Sequence, residues 1–181
     1  MAAPAIPALT ALAALAACAA TPMSPTRVGP DGRPLPVVYR ITAAEVPRIQ
    51  TRMRDSVNTL RTARGLQPVE LNAQLTSAAA TQARDMASQQ RAWHFGSDGS
   101  SPIQRVQRVG YTGLFLGELV SETYETELET LAGWMEVRET RAVLLEPRMR
   151  EIGFAWHQED SGKLWWTMTT GAPRPPSLGD S

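Results

Sequence analysis

Trp93-His94-Phe95-Gly96-Ser97-Asp98-Gly99-Ser100-Ser101-Pro102 is the stretch on which the reading of this chain turns. It carries one of only two histidines, on a glycine- and serine-rich loop between two helical patterns. Histidine changes charge near neutral pH, and loops held by rigid elements are where sites tend to be built. Two readings of His94 stand side by side: a site residue, or a residue that caps a helix or bonds a turn. Asp98 before Gly99 is turn chemistry, and Ser97, Ser100 and Ser101 read as loop formers.

Working outward, the loop is bounded by helices. Upstream, Asn72 caps a helix running to about Ser88, with Leu75, Ala78, Ala79, Ala83 and Met86 as its buried stripe. Its small alanines predict close packing on a neighbouring element. Before it, Thr42-Ala43-Ala44-Glu45 reads as a capping box. Val46, Ile49, Met53, Val57 and Leu60 then predict an amphipathic helix of about five turns, arginines outward, Pro47 in the first turn and Gly65 at the end. Val37 to Ile41 reads as a short extended run. Downstream, Ser101 and Pro102 open a short helix with Ile103, Val106 and Val109 inward, closed by Gly110.

Tyr111 to Val120 places Gly113 and Gly117 around an apolar segment, and its pattern does not fix its state. Glu127 to Met135 reads as a helix with Leu128, Leu131 and Trp134 or Met135 inward. Arg138 to Leu145 either continues it or starts another, and Pro147 stops it. Ile152, Phe154 and Trp156, a Glu159-Asp160-Ser161-Gly162 turn, and Leu164, Trp166 and Met168 spell a β-hairpin. Trp165 alternates away from Trp166, which predicts one of the two exposed, on a binding surface or an amphipathic strand. Helices first and strands last predict an α+β layered domain.

Lys+Arg and Asp+Glu are both 18, so the formal net charge is zero. That balance argues against a nucleic-acid partner held on a basic face. No zinc-finger spacing or phosphate-binding glycine loop is present. The single cysteine, Cys18, excludes an intramolecular disulfide framework. Residues 1–17 form an uncharged, alanine- and leucine-rich run, too short for a comfortable membrane span and of signal-peptide size. Leu15-Ala16-Ala17-Cys18 resembles the lipobox of a bacterial lipoprotein signal, which implies cleavage before Cys18 and lipid on it. The alternative is an ordinary cleavable signal cut near Ala20. No Lys or Arg precedes the apolar run, a departure from the expected n-region. Residues 18–36 read as a proline-rich tether, 37–172 as the domain and 173–181 as an unheld tail.

In order, these blocks resemble the CAP superfamily of cysteine-rich secretory, antigen 5 and pathogenesis-related proteins, in its cysteine-poor bacterial branch. The resemblance is carried by Leu60 to Val69, Leu71 to Leu75, Ala78 to Ala87, the His94 to Pro102 loop with Arg105 and Gly110-Tyr111, Gly117-Glu118-Leu119-Val120, Trp134-Met135 with Arg141 to Leu145, and Glu151-Ile152-Gly153. It implies a three-layer α-β-α sandwich of the SCP/PR-1-like type, with a small antiparallel sheet between helices.

The resemblance also implies a surface cleft where two histidines and one or two acidic residues meet and bind a divalent metal such as zinc. His94 matches the first histidine and Glu118 the glutamate of the Gly-Glu block. Thr140 stands where the second histidine belongs, and a hydroxyl is a poor zinc ligand. The second acidic position falls near Val137, with Glu136 beside it; Glu139 adjoins Thr140 but points elsewhere on a helix. His157 lies on the hairpin. The expected ligand cleft is therefore His94, Glu118, Glu136 and Thr140, with the metal site weakened. The candidate function is an exported, lipid-anchored binding module that faces the periplasm, or is secreted if Cys18 is not lipidated. Its ligand would be a lipid, a glycan or an envelope protein. The alternative is a hydrolase using His94 and Glu118, with or without metal.

Overall fold

The computed structural model describes residues 40–122 and 126–174. The signal segment, Cys18 and the tether lie outside the described residues, as does most of the tail. Among the described residues, no helix is long and apolar enough to cross a membrane.

After a single 3-10 turn, Ala43–Glu45, the elements run α1 (Val46–Thr62), β1 (Glu70–Leu71), α2 (Ala73–Gln89), α3 (Pro102–Arg108), β2 (Leu114–Glu122), α4 (Glu127–Glu136), α5 (Arg138–Leu144), β3 (Glu151–Gln158) and β4 (Leu164–Ala172). The strands form one sheet in the order β1-β3-β4-β2. β2, β4 and β3 pair antiparallel; β1 adds two residues parallel to β3, so the sheet is mixed. Helices cover both faces, giving the α-β-α sandwich that the family resemblance implies.

The start signals work as read. Asn72 Oδ1 accepts the Leu75 N–H at 3.0 Å, and Ser101 with Gln104 forms a capping box at α3. A further capping box, Thr126 with Glu129, opens α4. α2 ends at Gln90, which takes a left-handed φ of 51°. Val137 is extended and divides α4 from α5, so Arg138 starts a separate helix.

On one face, Ile49, Met53 and Val57 of α1, Leu131 and Trp134 of α4 and Leu144 of α5 pack on Leu119, Ile152, Phe154, Trp166 and Met168. Phe154 and Trp166 stack with ring centroids 5.5 Å apart, and Trp134 meets Phe154 edge-on. On the other face α2 lies so close that a Cβ at Gly153 would sit 2.0 Å from the Leu75 carbonyl carbon. The alanines of α2 permit this approach.

Several expectations are corrected. Trp165 and Trp166 are both fully buried, because each face of β4 has its own helical layer; Trp165 packs with Met86 and Ala87. Ile103 and Leu128 face solvent, since α3 and α4 bury narrower stripes through Val106 and through Leu131 and Trp134. Arg61 does not point outward: it is fully buried. Of the extended run at Val37 to Ile41, the described residues Arg40 and Ile41 form no strand; the Ile41 N–H donates to Gln158 Oε1 at 3.0 Å.

Candidate functional site

β2 is a strand, and it sits at the sheet edge opposite β1. Its register places Glu118 across from Thr169 and Gly117 across from Thr170. Because Gly153, also paired with Thr169, faces α2, Glu118 projects on that same side. There the His94 loop and α3 meet it.

His94 Nδ1 and Glu118 Oε1 are 3.0 Å apart. The Glu118 side chain is 2% exposed and that of His94 49%, so the carboxylate is a buried anchor for a half-exposed imidazole. Arg105, on α3, completes the arrangement. Its Nη2 donates to both carboxylate oxygens of Glu118 at 2.9 Å and to the His94 carbonyl at 2.8 Å. Its Nη1 donates to the Ser100 carbonyl at 2.9 Å. Arg105 is itself 2% exposed, so the ion pair is desolvated and its charges depend on each other. From α2, Gln82 Nε2 donates to the Trp93 carbonyl. Two buried side chains thus hold the backbone on either side of His94.

The loop carries its own bracing. Gly96 N–H donates to the Ser100 carbonyl at 2.9 Å, Ser97 Oγ to Asp85 Oδ1 at 2.9 Å, and Arg108 to Asp98. Trp93 and Phe95 flank the histidine with rings 5.5 Å apart, and the Arg91 guanidinium lies 4.1 Å from the Trp93 ring centre. Phe95 is 47% exposed. Asp98 is held well below the usual carboxylate range by hydrogen bonds from Ser100, with the Arg108 guanidinium adding to them. A depressed carboxyl pKa makes its contribution present above the unfolded value, about 3.9, and lost as pH falls toward the folded one. Stability, read from denaturant unfolding followed by tryptophan fluorescence, is therefore expected to fall as pH drops below about 3.9, with a smaller fall in Asp98→Asn.

Of the four residues expected to line the cleft, the structure joins His94 and Glu118. Thr140 is committed elsewhere: its hydroxyl donates to the Trp134 carbonyl at 2.6 Å, holding the α4–α5 corner. Glu136 is exposed at the end of α4. His157 is on β3, across from Trp165. The donor set does not fit a divalent cation. His94 Nδ1 and Glu118 hold each other, and a guanidinium bonded to both carboxylate oxygens repels a second positive charge. Among the described residues no group of three or more His, Cys, Asp or Glu side chains could hold a metal.

Sequence reasoning left two residues of this site without a role. Arg105 lies in a family block and follows the loop at the spacing of one helical turn from Ser101, which was the available signal. Gln82 interrupts the alanine stripe of α2, a polar residue on a buried face.

A sequence profile of the cysteine-rich secretory protein (CAP) family matches residues 54–169. The uncharacterized protein YkwD of Bacillus subtilis is 23% identical over 122 residues, 67% of this chain and 47% of that protein, so the match spans about half its length. An outer surface protein of Borrelia burgdorferi has a similar structure, with a TM-score of 0.65 and 16% identity over 76% of this chain and 100% of that one. An extracellular SCP-domain protein of Bacillus anthracis gives a TM-score of 0.64 at 17% identity, over 74% of this chain and 45% of that one. At these identities the structural likeness is one of fold.

Proposed function

The chain belongs to the cysteine-rich secretory protein (CAP) family, and on that premise we propose that it is an exported, lipid-anchored binding module whose recognition surface is centred on His94. Export and lipid on Cys18 rest on the Leu15-Ala16-Ala17-Cys18 lipobox and the apolar run before it. The observation that carries the binding reading is the contrast in burial across one hydrogen bond: an exposed imidazole fixed on a buried Glu118–Arg105 pair. Such a pair orients the ring, and it leaves Nε2 for a ligand. Phe95 and Trp93 add aromatic surface beside it.

Among lipid, glycan and envelope-protein ligands, this surface suits a glycan best. Aromatic faces accept sugar rings, and an imidazole nitrogen bonds their hydroxyls. A hydrolase using His94 and Glu118 is less favoured. The loop hydroxyls are spent on bracing, Ser97 on Asp85 and Ser101 on the Gln104 N–H, and among the described residues none of them sits as a nucleophile on the imidazole.

The test is cosedimentation of the full chain with purified bacterial cell-wall glycan, beside vesicles of neutral and anionic phospholipid. His94→Ala and Phe95→Ala are each expected to weaken glycan retention about tenfold, the loss of roughly 1.4 kcal/mol, with both variants still folded by circular dichroism. Retention by vesicles alone, or glycan retention insensitive to both substitutions, overturns the reading. Hydrolysis of the glycan that stops in His94→Ala favours the hydrolase.

A further inference from the structure

Among the described residues, four buried side-chain atoms lack a hydrogen-bond partner: Gln82 Oε1, Arg105 Nε, Thr167 Oγ1 and Thr169 Oγ1. They are not scattered. Thr169 is paired with Glu118 on one side and Gly153 on the other, and Thr167 follows two residues along the same face of β4. That face lies under α2, the helix that carries Gln82. Gln82 and Arg105 reach the adjacent carbonyls of Trp93 and His94, and Arg105 also holds Glu118. All four side chains therefore lie on the α2 side of the sheet, the side on which Glu118 projects, along the seam between that helix and β4.

Leaving such groups bare is costly, a buried guanidinium N–H most of all. The chemistry of the set identifies what satisfies it. Arg105 Nε–H can only donate. Gln82 Oε1 can only accept, and the Gln82 amide cannot turn to donate because its nitrogen is committed to Trp93. The two threonine hydroxyls do either. An anion is refused by Gln82 Oε1 and Glu118, and a cation by Arg105. A small neutral molecule that donates and accepts is what remains.

We infer that this seam is an internal hydration site, in which buried water links Arg105 and Gln82 to Thr167 and Thr169. Buried waters commonly make about three hydrogen bonds to groups otherwise unpaired, which one or two molecules achieve here. The site braces the back of the His94 loop: its water is bound by the same two side chains that grip the loop backbone.

Thr167→Val and Thr169→Val test this by the sign of their effect. Valine keeps the shape and removes the hydroxyl. If water occupies the seam, each substitution strips a partner from it, and the melting midpoint is expected to fall by about 2–5 °C. If the hydroxyls are buried bare, removing them relieves a penalty and the midpoint holds or rises, which overturns the inference. A measurement on the unaltered protein keeps the test sound should a variant fail to fold. In NMR, long-lived water is expected to give cross-relaxation to the Thr167 and Thr169 amide protons. Absence of that signal, or a crystal structure with any larger molecule in the seam, sinks the proposal.

Discussion

Gly153→Ala is expected to leave little folded protein at 37 °C. The added Cβ would lie 2.0 Å from the Leu75 carbonyl carbon and 2.1 Å from the Thr76 nitrogen. Those atoms belong to the first turn of α2, which is fixed by the Asn72 cap and by Asn72 Nδ2 donating to Glu151 Oε1 at 2.9 Å. Backbone held this way cannot rotate aside as a side chain can, so α2 must lift off the sheet. Overpacking of a core costs about 1–3 kcal/mol; here it strips a whole helical layer, and about 4 kcal/mol or more is expected. Circular dichroism melting measures it. Gly117→Ala is the contrast. Its Cβ would meet Val143 Cγ1 at 2.8 Å, a side chain that can turn or be trimmed, so the cost is expected near 1 kcal/mol and to be relieved by Val143→Ala. Equal losses at the two positions would refute the backbone-contact explanation.

Arg61→Ala is expected to cost about 3–5 kcal/mol, read from chemical denaturation at fixed pH. The guanidinium is fully buried and bonds carbonyls alone: Gln67 at 2.9 Å, Leu144 at 2.9 Å, Glu146 at 3.1 Å and Met149 at 3.0 Å. It therefore ties the end of α1 to the end of α5 and the approach to β3, and supplies donors to carbonyls that a helix terminus leaves unpaired. Burial lowers its pKa, Arg150 lowers it further and Glu146 opposes the fall. Arg61→Lys keeps a charge but cannot present the planar fork to four acceptors, so a loss of about 2 kcal/mol is expected. A lysine variant as stable as the parent would mean that charge, and not the fork, does the work.

How far residues can be read before coordinates exist depends on whether the deciding signal is local. The helices were legible because their caps and stripes lie within a few residues: Asn72, Ser101 and the 49–53–57 spacing each do what they suggest. That same spacing continues to 61, and the next position in the stripe is an arginine. Its burial was written in the periodicity, but its acceptors come from residues 67 to 149 and no window contains them. β1 is two residues long and exists through β3. β2 hid behind Gly113, Gly117 and an irregular register between Phe115 and Gly117. One of Trp165 and Trp166 was expected to be exposed because alternation reports one covered face, and this sheet has two.

At the site, family blocks named His94 and Glu118 and the structure bonds them. Thr140 at the position of the family's second histidine was also legible; that its hydroxyl holds the Trp134 carbonyl was not. What the sequence could not convey was Arg105 as the charge that balances Glu118, because pairing across 13 residues and two elements has no local mark.

The strand order has a consequence in time. β3 and β4, the central strands of the sheet, are the last elements of the domain, and β1 at residue 70 must wait for its partner at residue 151. A chain delivered from its N-terminus therefore presents α1 and α2 long before the central strands against which they pack. Pairings this distant make folding slow to begin, and here they postpone it until about residue 172 has emerged. Until then the sheet lacks its centre, and the last hairpin works as the latch that closes the domain.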